Sequence, residues 1–286
     1  MSGDYNTPHS ARQEEGRGAG QTPLPLPRRG VFTSRFLVRS GEFAGKMEKR
    51  LHGVVSEKIA DEHIRAMEWY VATLRKMGVL VAETAFRKVP TGRGFAVTLF
   101  QESYGDGELV TGIVQTAQKD FCLDIFERTL REGVKAIDWK RAHDAPGKDE
   151  LGFHSSLRNW AVRDGKMYFL DLTPPLRRVD GRTHPLTFLK HIPARFKFIP
   201  SLALRYVFFR LASRDSFAMP VMIAGCLASA AHRRPELEED LRAKTLAVIE
   251  ECIPVPERAA YLAMISGKRL GLHRRLNRAV RRLFRS

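Results

Sequence analysis

Around Val31 the chain turns strand-like and stays so to Val38; beyond Gly41 and Gly45 a mixed alternation resumes through Lys46 to Ile59. The period then changes. Ile64, Met67, Trp69, Tyr70, Val71 and Leu74 recur three and four residues apart, which predicts a long helix with one buried stripe, and Gly78 stands where a C-cap would be. A short apolar run (Val79 to Val81), a Pro-Thr-Gly-Arg-Gly turn at 90–94 and a strand from Phe95 to Phe100 follow. The predicted order is strand, strand, helix, strand, turn, strand.

Beyond Gln101 the texture becomes helical, with helical periodicity in Leu109 to Gln118 and Phe121 to Ile137 and a polar loop at 140–150. Two short strands, Trp160 to Val162 and Met167 to Leu170, hinge on Asp164-Gly165. From about Pro185 the chain reads as helices broken at Pro193, Pro200, Pro220, Pro235, Pro254 and Pro256. The pattern predicts an α+β protein, with a small mixed lobe at 30–104 and a mostly helical lobe at 105–286. Residues 1–29, rich in Gly, Pro, Ser, Thr and charge, with a Pro-Leu-Pro-Leu-Pro run at 23–27, read as a disordered tail.

At 286 residues there is ample apolar material for a core, and 48 Lys+Arg against 32 Asp+Glu favour anionic partners without choosing among them. Cys122, Cys226 and Cys252 are far apart and form no CxxC pair, which points to a reducing, cytoplasmic setting rather than a disulfide framework. No uninterrupted apolar stretch approaches the roughly 20 residues of a membrane span. Arg274, Arg275, Arg278, Arg281 and Arg282 surround an apolar stripe of Leu272, Leu276, Val280 and Leu283. Such a helix fits an anionic membrane surface or nucleic acid, and equally a terminal helix docked on the core with its arginines in solvent.

The chemistry concentrates in Gly152-Phe-His-Ser-Ser-Leu-Arg-Asn159-Trp, the Asp164-Gly165 turn and Leu170-Asp171-Leu-Thr-Pro-Pro175. An amide at the start of one strand and a carboxylate after the end of the next converge if the strands pair, and magnesium takes such oxygen ligands together with phosphate oxygens. A plain hairpin whose Asn and Asp only cap turns carries the same letters. The layout resembles the protein-kinase-like fold, more closely its aminoglycoside-phosphotransferase and choline-kinase branch. The segment is also similar to an uncharacterised bacterial group related to these kinases.

That resemblance implies a two-lobed kinase-like fold that binds ATP and Mg2+ and transfers phosphate to a small-molecule hydroxyl. It makes Asn159 and Asp171 metal ligands and catalytic residues, with His154 standing where kinases carry their catalytic Asp, five residues before the Asn. It further implies a glycine-bearing hairpin over the phosphates, Leu37 to Lys49 with Gly41 and Gly45. The phosphate lysine would be Lys58, its helix partner Glu62 or Glu68, and Gln101, Glu102, Ser103 and Tyr104 would form a nucleotide-contacting hinge. A pseudokinase-type scaffold keeping this fold without efficient transfer, and a basic surface adaptor, are the alternatives.

Overall fold

The alternation after Val31 becomes a hairpin. In the computed structural model, which describes residues 21–23, 33–51, 55–143, 150–173, 175–179, 182–183 and 217–266, Gln21–Pro23 (β1), Thr33–Val38 (β2) and Met47–Leu51 (β3) run antiparallel. Leu37 faces Met47 and Arg35 faces Lys49. Three residues of the stretch read as a disordered tail therefore belong to the sheet. Gly41 and Gly45, both at φ 81°, supply the left-handed backbone that closes the β2–β3 turn, and the Gly45 amide donates to the Val38 carbonyl at 2.9 Å.

The second strand ends at Leu51 rather than Ile59, because Ser56 starts a helix. Its Oγ accepts from the Ile59 amide at 3.4 Å, and Glu57–Lys76 (α1) follows, with an acid in its first turn and Arg75 and Lys76 in its last. Gly78, at φ 76°, lets the chain leave the helix, and the Val79 amide returns to the Leu74 carbonyl at 3.0 Å. Thr84–Thr91 (β4) and Gly94–Gln101 (β5) complete a sheet of order β1-β2-β3-β5-β4. The strand expected at Val79 to Val81 is a connector: Val81 bridges Phe169 in parallel, and β4 pairs with β5 instead. The stripe of α1 packs on this sheet, with Ala60 and Met67 against Leu51, Val55 and Val97.

Val110–Thr116 (α2) and Lys119–His143 (α3) follow; α3 takes in Lys140, Arg141 and His143 of the expected polar loop, and 144–149 lie outside the described residues. Glu150–Leu151 (β6) precedes a hairpin of Trp160–Arg163 (β7) and Lys166–Phe169 (β8), which turns through Asp164 at φ 50° and Gly165 at φ 69°. Arg177–Val179 (β9) and Arg182–Thr183 (β10) join β6 in a three-stranded sheet. Three further helices are Met219–Arg233 (α4), Glu238–Cys252 (α5) and Val255–Ile265 (α6). Pro220 and Pro256 sit in first turns, where no amide is needed, so these prolines begin helices rather than break them.

The main core gathers Phe126 and Leu130 of α3, Ile223 and Leu227 of α4, and the mutually packed rings of Phe153, Trp160 and Phe169. The architecture is α+β, as the pattern predicts. Among the described residues no helix is long and apolar enough to cross a membrane. The basic run with Arg274, Arg275, Arg278, Arg281 and Arg282 lies outside the described residues.

Candidate functional site

Met47, Lys49 and Leu51 alternate onto one face of β3, and Leu51 packs with residues of α1. That places an ammonium group in the interior: Lys49 is 8 % exposed. Its Nζ donates to Gln101 Oε1 at 2.5 Å and to the Leu170 carbonyl at 2.8 Å, both neutral acceptors. Burial lowers its pKa to about 7; the charge of Arg35 lowers it further and that of Asp171 opposes the shift.

The loop before β7 is built around Asn159. Its Nδ2 donates to the His154 carbonyl at 2.8 Å and faces His154 Nδ1 at 3.0 Å. A carbonyl only accepts, so it fixes the amide orientation, and the same group then requires Nδ1 to accept. In that arrangement the imidazole proton sits on Nε2. Asn159 Oδ1 makes no hydrogen bond among the described residues. The Leu170 amide donates to the Asn159 carbonyl at 2.8 Å, which brings Asp171 to the mouth of the hairpin beside the Leu170 carbonyl that Lys49 grips. Asp171 is half-buried and makes no hydrogen bond or ion pair among the described residues.

From α1, the Tyr70 hydroxyl donates to the Gly152 carbonyl at 3.2 Å. Burial, then the charge of Asp171, raises this phenol well above its ordinary range. Gly152 tolerates no side chain without movement, since a Cβ there would lie 2.9 Å from Leu176 Cβ and 3.0 Å from the Phe217 ring. Lys49, Tyr70, Gln101, Asn159 and Asp171 thus draw on two strands, one helix and both ends of the hairpin.

Asn159 holds His154, and Lys49 joins Gln101 to the Leu170 carbonyl that precedes Asp171. The cluster does not hold Lys58 or Glu68. Both are exposed on α1, as is Glu62, because Ser56 places Lys58 in the first helical turn rather than on a strand. Lys49 is the lysine that the sequence reading missed. It sits in the run Glu48-Lys49-Arg50, which by its letters reads as a solvated face; the alternation with Met47 and Leu51 was the available signal.

Glu102 and Tyr104 are engaged elsewhere. The Arg163 guanidinium pairs with Glu102, donates to Glu108 at 2.5 Å and to the Ser103 carbonyl at 2.8 Å, and lies 4.3 Å from the centre of the Tyr104 ring. The Glu102 amide is taken by the Glu83 carbonyl at 2.9 Å, and the Tyr104 hydroxyl by Glu102 at 3.0 Å. The Gly41 and Gly45 turn closes the hairpin at the end where Met47 opposes Gln101.

A magnesium ion bound with a nucleotide needs only one or two protein oxygens beside phosphate and water. Asp171 and Asn159 Oδ1 are the oxygens that could serve beside such phosphates; among the described residues no group of three or more His, Cys, Asp and Glu could hold a metal unaided. A cleft of about 470 Å³ beyond β8 is lined by Arg128, Glu132, Lys135 and Lys166. Two of its cations are already satisfied, Arg128 by the Gly165 carbonyl and Lys135 by Glu132 and the Gly78 carbonyl.

No curated protein matches the chain. The sequence does match a family of unknown function (DUF6206) over residues 13–189, a span that is more than half of the chain and contains every residue from Lys49 to Asp171. The protein belongs to that family.

Proposed function

We propose that the protein is an ATP- and magnesium-dependent phosphotransferase of the kinase-like type, acting on a small-molecule hydroxyl. The observation that carries this reading is Lys49, buried on a strand, bound to the carbonyl that precedes Asp171 and lacking an ion-pair partner among the described residues. A buried ammonium without a bonded carboxylate is stabilised by an arriving anion, and polyphosphate is the anion that a lysine, a carboxylate and a nearby amide oxygen suit together. Asp171 and Asn159 would hold magnesium, which when bound neutralises phosphate charge. Lys49 orients the phosphates, Tyr70 ties α1 to the loop carrying His154, and His154 stands nearest the acceptor.

Calorimetry tests this directly. Magnesium-dependent ATP binding by the native chain should be lost in Asp171→Ala and in Asn159→Ala; absence of binding by the folded native chain would sink the reading. His154 favours a second one. With Nδ1 committed to Asn159, the ring is not placed to take a hydroxyl proton, which suits a pseudokinase-type protein that binds nucleotide and transfers slowly or not at all. Tight binding without ATP consumption across a panel of hydroxyl acceptors would select it.

A further inference from the structure

Lys49 has a neighbour of its own sign. The β2–β3 register sets Arg35 opposite Lys49, and opposite residues of antiparallel strands project to the same side of the sheet. Arg35 is exposed and makes no hydrogen bond or ion pair among the described residues. Like charges opposite one another across strands are destabilising, and a surface acid would normally relieve them. The described carboxylate whose charge reaches Lys49 is Asp171, the residue offered above to the metal. An anion with several oxygens would complete such a pair. A guanidinium grips two phosphate oxygens through its planar fork, while an ammonium meets one as a point charge.

Resting on the phosphotransferase reading, we propose that Arg35 is a second phosphate-binding residue of this site, holding from β2 the same anionic group that Lys49 meets from β3.

The test is titration calorimetry of the full chain with magnesium ATP and with inorganic tripolyphosphate. Arg35→Gln should weaken both ligands about 10-fold or more. Arg35→Lys should recover part of that loss. Unchanged tripolyphosphate affinity in Arg35→Gln overturns the role of Arg35 while leaving the nucleotide reading intact. Failure of the folded native chain to bind either ligand overturns both.

Discussion

Two cations in this protein meet similar partners to opposite effect. Arg163 reaches two carboxylates, a carbonyl and an aromatic face in a partly exposed setting, and its hydrogen bonds hold Glu108 down to about 2. Lys49 reaches a carbonyl and an amide oxygen in a buried one, and is itself pushed down to about 7. The Arg163 cluster is complete, so it fastens the chain between β5 and α2 to the hairpin. The Lys49 ammonium is hydrogen-bonded to no carboxylate among the described residues, so its burial costs stability and leaves something for a ligand to supply. Hydrogen-bond number does not separate a structural ion cluster from a binding site; charge balance and burial do.

The largest test of this contrast is Lys49→Met. In the unfolded chain Lys49 titrates near 10.5 and in the fold near 7. Below pH 7 both states carry the charge, and its burial costs the fold on the order of 5 kcal/mol. Between 7 and 10.5 the unfolded chain alone keeps the proton, so the penalty fades as pH rises. Methionine removes the penalty but strands two acceptors, at about 1–3 kcal/mol each. Denaturant melts should show the variant more stable than the native protein near pH 6 and less stable near pH 10. A constant difference across that range would mean that Lys49 is not the uncompensated charge described here.

Arg163→Met should behave in the reverse sense and on a smaller scale. It removes a satisfied cluster, so the variant loses about 1–2 kcal/mol at neutral pH. Glu108 has its pKa lowered from 4.5 to about 2, so the stability it lends is present above 4.5 and is lost as pH falls toward 2. The gap between native and variant in chemical denaturation should therefore close over that acid window, where Lys49 is charged in both states and contributes no slope. A gap that stays open in acid would place the contribution of Arg163 in its stacking on Tyr104 rather than in its ion pairs.

The parts of this contrast that could be read in the sequence are the local ones. The Asp164-Gly165 turn, the stripe of α1 and the Gly78 exit depend on neighbours a few residues apart, and each forms where the pattern predicts. His154, Asn159 and Asp171 come together for the same reason, since one tight hairpin joins them. Lys49 depends on Gln101 and Leu170, far along the chain, and beyond its alternation with Met47 and Leu51 nothing local tells a buried lysine in Glu48-Lys49-Arg50 from a solvated one. Lys58 was the more visible lysine because it stands before a helix, and the Ser56 cap is what removes it from the sheet. Pro90 disguised β4, whose ladder runs through to Thr91 opposite Gly94, and the pairing of Gln21–Pro23 with β2 is equally non-local.

Tyr70→Phe provides the smallest and sharpest control, because it alters the buried cluster without altering its charge. The hydroxyl donates to the Gly152 carbonyl, and Phe leaves that buried acceptor unmet at about 1 kcal/mol. Since the phenol is held well above its ordinary range, it stays neutral through every condition in which Lys49 and Glu108 titrate. The loss should therefore be the same near pH 5 and near pH 9, in contrast with Lys49→Met, whose effect changes sign, and Arg163→Met, whose effect fades in acid. A loss in Tyr70→Phe that grew or shrank with pH would show that removing the hydroxyl moves Asp171 relative to Lys49. The charge deficit would then belong to the whole group of α1, hairpin and β3 rather than to the lysine alone.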